Sequence, residues 1–254
     1  MLAGLGSVPA WANRAEELAR IHLEAIGGRA RADAISSLQA SGWVVADNER
    51  LRFTMYAARP NRVRIETEKG GRMLVQATDG EAAPWEFDSG TWPPVYRTMR
   101  DAEAQTFLSD AEFDDPLIAG ESRGFTLDDA SDAEVGGRKF YRVLVTRKLI
   151  ESYLLYLDAE TYLVMMRVEQ RRTANGRAIQ IITHYNDFRP VDGVLVPHEV
   201  VVVTDDRVTQ HAVIEKMIPN PKLPASIFHR PQGASDSAAG GNDRPGSERR
   251  GRTP

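Results

Sequence analysis

The sequence predicts a mainly β protein with a few α-helices, folded as an open, incomplete antiparallel β-barrel whose helices cover or plug the concave face. Apolar and polar residues alternate with a period of two along most of the chain after Leu38. Short turns separate these segments, and such turns join only antiparallel neighbours. Several later segments are apolar on both faces, so their sheet must be covered on both sides or curl around its interior.

Composition excludes several classes of function. A chain of 254 residues with 42% hydrophobic and 27% charged residues is long enough for one large β domain. A formal net charge of -4 provides no broad cationic surface, so nucleic acid is not an expected partner. The absence of cysteine from the sequence excludes disulfides, thiol nucleophiles and cysteine-ligated metals.

The N-terminal residues suggest export. A run of small and apolar residues closes on Ala10-Trp11-Ala12, the A-x-A pattern that signal peptidase cleaves, although no basic residues precede the run. We therefore predict that residues 1–12 are the remnant of a truncated signal peptide, and that the protein works in the periplasm after crossing the inner membrane. No later stretch approaches the ~20 apolar residues of a membrane span, so no transmembrane segment is predicted.

The spacing of apolar residues predicts the elements in order. Residues 14–26 have helical spacing, Gly27-Gly28 ends that helix, and residues 29–36 form a second short helix. Strands follow, and their alternation is cleanest in residues 51–57 and 62–68. We predict one or two helical turns within residues 95–108, and an acidic loop from Asp110 to Pro116.

The second half of the chain predicts a further series of hairpins, for a total of about ten strands. Its strands are predicted at residues 138–146, 151–157, 162–171, 178–188, 194–204 and 208–218. Asn175-Gly176 and Asp205-Asp206 are predicted to form tight turns between them. After Phe228 the composition loses all periodicity, so we predict a single domain over residues 13–229 and a disordered polar tail over residues 230–254.

Five segments resemble a known family. They are residues 23–28, 79–85, 158–161, 185–197 and 219–228, and they occur in the order expected of the LolA-like bacterial outer-membrane lipoprotein-sorting proteins. The resemblance spans roughly residues 15–228 and consists of strand, turn and closing signals. It implies a periplasmic, non-catalytic carrier or chaperone for the acyl part of a lipid or lipoprotein, active in transport for outer-membrane biogenesis. An inner-membrane transporter or an outer-membrane acceptor would be its partner, and no cofactor is implied.

Candidate lipid-contact residues come from the alternation. If the apolar side of the sheet is concave, its side chains line a hydrophobic cavity, and methionines among them adapt to acyl chains of different shape. The seven predicted lining residues are Leu51, Phe53, Met55, Val63, Ile65, Met73 and Trp85.

Two alternatives are kept. In the first, the same groove binds a protein tail, and the protein is an envelope sensor or interaction module. In the second, the protein is a metal-dependent lipid hydrolase, in which His184, His198 and His211 converge from three consecutive strands onto a zinc ion. The paired aspartates, such as Asp114-Asp115, fall in predicted loops where Asp bonds the local backbone. No catalytic or metal site is therefore predicted.

Overall fold

Four α-helices, thirteen strands and one 3-10 helix, Ala225–Ile227, make up the part of the chain that the computed structural model describes, residues 12–92, 94–120, 124–147, 151–173 and 176–231. The helices are α1 Ala12–Ala25, α2 Arg29–Ala34, α3 Asp101–Asp110 and α4 Pro116–Ala119. The strands are β1 Ser37–Ala46, β2 Glu49–Ala58, β3 Arg62–Lys69, β4 Arg72–Thr78, β5 Trp85–Asp88, β6 Val95–Thr98, β7 Phe125–Val135, β8 Arg138–Arg147, β9 Glu151–Asp158, β10 Val164–Arg172, β11 Ala178–Val191, β12 Val194–Thr204 and β13 Arg207–Pro219.

One antiparallel sheet contains all thirteen of these strands, in the order β6-β5-β4-β3-β2-β1-β13-β12-β11-β10-β9-β8-β7. Two meanders, β1 to β6 and β7 to β13, are joined where the first strand pairs with the last. Strands β6 and β7 are the two edges, and they do not pair with each other. The sheet is therefore an open β-barrel with few helices, as the sequence predicts.

Strand register defines an inner face that the helices cover. Leu38 opposes Ala57, and Ala57 opposes Val63, so the three side chains lie on one face. Ala57 and Val63 pack against Ala111, directly after α3. The predicted alternation thus buries the face that the sequence indicated.

Helix α1 covers the other half of the inner face. Its residues Ala15, Leu18 and Ala19 form a buried cluster with β7 to β10, in which Val143 and Leu157 are fully buried. The apolar side chains on one side of each strand are thereby removed from water, and this burial is the main contribution to the stability of the fold.

The outer face of β3 to β5 has its own cover. Val75, Ala77 and Trp85 form a buried cluster on the side of the sheet opposite to Val63. The Trp85 indole donates a hydrogen bond to the Phe228 carbonyl oxygen at 3.0 Å. Residues 221–230, after the last strand, therefore close this part of the outer face.

Three of the resembling segments, residues 23–28, 185–197 and 219–228, lie at one end of the barrel. The Asp192-Gly193 turn contacts the end of α1, where the Leu195 amide donates to the Ile26 carbonyl oxygen at 2.8 Å. Gly27 has φ 127°, and a Cβ there would overlap the Gly193 carbonyl oxygen. Asn220, after β13, accepts a hydrogen bond from the Ser36 amide at 2.8 Å. These contacts join α1 and α2 to the sheet.

Several predicted elements are corrected. Residues 95–98 form strand β6 and the helix α3 begins only at Asp101, because Tyr96 pairs with Phe87 and extends the apolar cluster of the outer face. The sheet has thirteen strands where about ten were predicted, since β5 and β6 are four residues each and β7 is largely polar. The predicted signal-peptide remnant, apart from Ala12, and residues 232–254 of the predicted tail lie outside the described residues, as does Asn175.

No described helix is long and apolar enough to span a lipid bilayer.

We expect Gly42→Ala to destabilise the seam between the two meanders. The register of β1 against β13 shifts at Gly42, and an added Cβ would overlap the Val213 carbonyl oxygen, which is backbone and cannot turn away. The free energy of unfolding should fall by about 2 to 3 kcal/mol in urea denaturation. Gly90→Ala is the control, because its Cβ would meet only the flexible, exposed side chain of Arg72. Equal losses in both variants would contradict this account.

Candidate functional site

A cavity of about 390 Å³ lies between the helices and the inner face of the sheet. This volume is within the range of small-molecule sites. Its apolar lining comes from the helices, the sheet and the connection between α3 and α4, and includes Ile35, Leu38, Phe113, Leu155, Tyr185 and Leu195. The charged residues of the lining are His22, Arg59, Glu112, Asp114, Asp115, Arg147 and Arg167.

Residues 112–115 form one wall of this cavity, and we call them the latch segment. Each of its three acids is tied to a different part of the fold. Glu112 accepts from Arg147 of β8 at 2.8 Å, Asp114 from Arg59 at 2.7 Å, and Asp115 faces His22 of α1 at 3.2 Å. The segment is therefore held mainly by charge pairs that reach both halves of the sheet.

Arg59 fastens α2 and the latch segment together. It follows β2, and its guanidinium donates to the carbonyl oxygens of Ala32, Asp33 and Ile35 at 3.0, 2.9 and 2.7 Å. The same group donates to Asp114 at 2.7 Å and lies 5.2 Å above the Phe113 ring. The planar fork of arginine thus bonds three carbonyl groups at and just after the end of α2, one of which, that of Ala32, also accepts from the Ile35 amide.

His22 is buried, with only 2% of its surface exposed. Its Nδ1 lies 2.8 Å from the Tyr162 carbonyl oxygen and its Nε2 lies 3.2 Å from Asp115 Oδ2. Burial by itself lowers the pKa of His22, but the charge and hydrogen bond of Asp115 and the Tyr162 carbonyl outweigh it, so this pKa lies above its ordinary value of 6.5. Because both ring nitrogens face acceptors, the imidazolium form fits the site best.

An apolar row on the inner face leads away from the cavity. Leu51 opposes Val44, Val44 opposes Ala212, Ala212 opposes Val200, and Val200 opposes the cavity-lining Tyr185. All five side chains lie on strands and are half-buried. We call this row, with its neighbours on the same face, the trough. It extends the cavity across β1, β2, β12 and β13.

The structure separates the seven predicted lining residues into two groups. Leu51, Phe53, Met55, Val63 and Ile65 lie on the inner face, where all but the buried Val63 are half-buried. They lie beside the cavity and do not line it. Their contact with lipid stays a prediction.

Met73 and Trp85 lie on the outer face, in the cluster that residues 221–230 cover. The register explains this, because Met73 opposes Glu68 and Trp85 opposes Ala77, one residue out of phase with the inner-face positions. The sequence placed all seven residues in one set because alternation identifies two faces of a strand without saying which face is shared across the sheet.

Sequence reasoning missed His22, Arg59 and the latch segment. Asp115 was interpreted as a loop aspartate that bonds the local backbone, and its Oδ1 does accept from the Leu117 amide at 2.8 Å, which caps α4. Its second oxygen, however, faces His22, which is 93 residues away in the chain. The sequence did contain an acidic run and a histidine on the apolar stripe of α1. That these two features interact is visible only once the helix is docked on the sheet.

The three strand histidines do not converge. His184 and His211 oppose Val201 from its two sides, whereas the ring of His198, three residues away, bonds the Val196 carbonyl oxygen at 3.0 Å. His211 pairs with Glu199 at 2.7 Å. Among the described residues, no group of three or more His, Cys, Asp or Glu is arranged to hold a metal ion.

Solved structures with this fold are known. The chain is similar to an outer membrane lipoprotein-sorting protein domain from Vibrio parahaemolyticus, with TM-score 0.58, 10% identity and coverage of 85% of this chain and 97% of that one. A DUF1329 family protein from Desulfovibrio piger matches with TM-score 0.57, 10% identity and coverage of 86% and 97%. A LolA superfamily protein from Nitrosomonas europaea matches with TM-score 0.54, 13% identity and coverage of 87% and 98%.

These comparisons establish that the chain has the LolA-like fold, which was predicted from the five resembling segments. No protein-family model matches the sequence, and no curated protein is significantly similar to it. The likeness is therefore one of backbone architecture at low sequence identity.

We expect Arg59→Lys to destabilise the protein although it keeps the charge. The planar guanidinium of Arg59 donates to three carbonyl oxygens and to Asp114. The ammonium group of lysine has only three donors and cannot reach all four acceptors, so some of them would lose a partner. A loss of about 2 kcal/mol would lower the melting temperature by roughly 4 to 8 °C in calorimetry. Arg29→Lys, at an exposed pair with Asp33, is the control and should change it little. A melting temperature for Arg59→Lys equal to that of the control would refute the role of Arg59.

Proposed function

We propose that this protein is a non-catalytic carrier that binds the acyl part of a lipid or lipoprotein in the periplasm and shields it from water. One observation carries the proposal: the inner face is apolar, yet the chain does not fill it. Between the helices and the sheet a cavity of about 390 Å³ remains, and the row from Tyr185 to Leu51 continues it with half-buried apolar side chains.

The energetics explain why such a surface suits acyl chains. Each methylene group moved from water to an apolar site gains ~0.8 kcal/mol, so a chain of ~16 carbons exposed to water costs on the order of 10 kcal/mol. The apolar side chains of the trough are only half-buried, so the area that each leaves in water carries a cost of the same kind. An acyl chain along the trough would remove both surfaces from water at once.

The charges around the cavity favour an uncharged ligand part. Arg59, Arg147 and His22 face the three acids of the latch segment, and the seventh charged lining residue, Arg167, pairs with Glu169 at 3.2 Å. A charged headgroup placed among them would compete with existing ion pairs, whereas a hydrocarbon chain would not. We therefore place the acyl chain in the cavity and trough, and the polar remainder of the cargo outside them.

The fold supports the compartment and the partners. A protein with this fold is described as an outer membrane lipoprotein-sorting domain, and the same role would place this chain in the periplasm. The cargo would then come from an inner-membrane transporter and pass to an outer-membrane acceptor. The same groove would also be available to a protein tail, as in a sensor or interaction module, and the experiment below separates the two ligands.

Native mass spectrometry of the protein purified gently from its own envelope fraction, followed by lipid extraction, tests the proposal. We expect adducts whose masses and fragments identify acyl lipids or acylated protein. A stoichiometric protein partner without acyl groups would favour the interaction module. Recovery of no hydrophobic ligand, together with no binding of added fatty acid, would remove the carrier function.

We expect Phe53→Lys to weaken acyl binding. Phe53 lies on the inner face beside Leu51, so an ammonium group there would have to lose its water when a hydrocarbon chain covers it. Binding of a fluorescent fatty acid should weaken about tenfold or more, since tenfold corresponds to only about 1.4 kcal/mol.

Thr54→Lys is the matched control for this variant. Thr54 is the next residue of the strand, so its side chain points to the outer face, where it opposes Glu66. A lysine there adds the same charge to the same strand without entering the trough. Fatty-acid binding by Thr54→Lys should equal that of the unchanged protein. If the two variants weaken binding equally, the trough is not the acyl site.

A further inference from the structure

The latch segment is held by three charge pairs that differ in how they respond to pH. The pairs Glu112–Arg147 and Asp114–Arg59 have 2.8 and 2.7 Å between nitrogen and oxygen, and both cations are arginines. Arginine stays protonated at any pH a folded protein survives. The third pair joins Asp115 to His22, and histidine is the side chain that changes charge near neutrality.

His22 lies where a change of charge affects the walls of the cavity. It belongs to α1, it faces Asp115 at the start of α4, and its other nitrogen bonds Tyr162 at the turn between β9 and β10. His22, Asp115 and the α4 residue Ile118 all line the cavity. The ring therefore ties α1 to the latch segment and to the turn between β9 and β10, beside the cavity.

From this geometry we infer that His22 and Asp115 form a proton-controlled latch, closed when His22 is protonated, which governs how readily cargo enters and leaves the cavity. This inference rests on the proposed function, whose site it regulates. In the closed state the imidazolium donates one hydrogen bond to Asp115 and one to the Tyr162 carbonyl. After loss of the proton a neutral ring can donate to only one of these two acceptors.

The other charged groups near His22 do not account for a change of charge in this pH range. The groups on the elements packed around it are Asp114 with Arg59, Glu112 with Arg147, Arg167, Asp158 with Arg138, and the phenol of Tyr162. The carboxylates among them accept from arginines, and arginine charges are constant in this pH range. Tyr162 stacks on Tyr141, and the pKa of its phenol is raised, first by the hydrogen bond with Tyr141.

The direction of the pH effect follows from the raised pKa of His22. The favourable pairing is fully present below the ordinary value of about 6.5 and is lost as the pH rises through the higher pKa of the folded protein. The latch is thus closed below about pH 6.5 and opens as the pH rises through the raised pKa of His22.

The test measures the dissociation rate of a bound fluorescent fatty acid from about pH 5.5 to about pH 9. We expect the rate to rise about tenfold across this range for the unchanged protein, since a hydrogen bond to a charged group is worth about that factor. His22→Gln should release the probe rapidly at every pH. His211→Gln is the matched control, because His211 also pairs with a carboxylate, Glu199 at 2.7 Å, but lies on the outer face, and it should keep the full pH dependence.

Asp115→Asn gives the sharper result. Its oxygen would still cap α4 through the Leu117 amide, and its amide nitrogen would donate to Nε2 of a neutral His22, whose Nδ1 still donates to Tyr162. This variant should therefore hold the probe at alkaline pH, where the unchanged protein releases it. Alkaline release as fast as that of the unchanged protein would overturn the inference.

A second measurement keeps failure of the latch separate from failure of the carrier function. Hydrogen–deuterium exchange of residues 111–119 without ligand, corrected for the intrinsic pH dependence of exchange, should show protection that falls with rising pH in the unchanged protein and not in Asp115→Asn. This pattern without any fatty-acid binding would support the latch and refute the carrier. Fatty-acid binding with pH-independent protection and release would support the carrier and refute the latch.

Discussion

The path of the chain between β6 and β7 is the constraint on which this structure depends. These strands follow one another in sequence but lie at opposite edges of a thirteen-stranded sheet. The chain after β6, described over residues 99–120, must therefore cross from edge to edge. It crosses on the inner face, where Ala111 packs on Val63 and Glu112 reaches Arg147. A sheet that curls around its own crossing segment cannot fill its interior with strand side chains alone, and a cavity remains between segment and sheet.

The crossing segment is positioned more by charge than by apolar packing. Phe113 is the apolar residue of the latch segment, and its neighbours on both sides are acids paired to Arg59, Arg147 and His22. Partly buried ion pairs add little net stability, because desolvation offsets attraction, but breaking one partner is costly. Such pairs specify one position for the segment.

The two faces of the sheet have opposite roles. The outer face of β3 to β5 is closed by residues 221–230, fastened by Trp85 to Phe228 and by Arg64 to the Ile227 carbonyl oxygen at 3.0 Å. The inner trough is flanked by the helices but keeps its apolar row half-buried. The inner face is left with apolar surface that a hydrophobic ligand can cover.

The sequence by itself determined the strand alternation, the turn at Asp205-Asp206, the helices α1 and α2 and the class of the fold, because these depend on residues near one another in the chain. It also identified Leu51, Phe53, Met55, Val63 and Ile65 as one face. Only the tertiary structure decided that Met73 and Trp85 lie on the other side, that the first four residues of the predicted helical segment form β6, and that His22 meets Asp115. Each of these outcomes depends on register or on contacts between distant segments, and local periodicity carries no information about which distant segments meet.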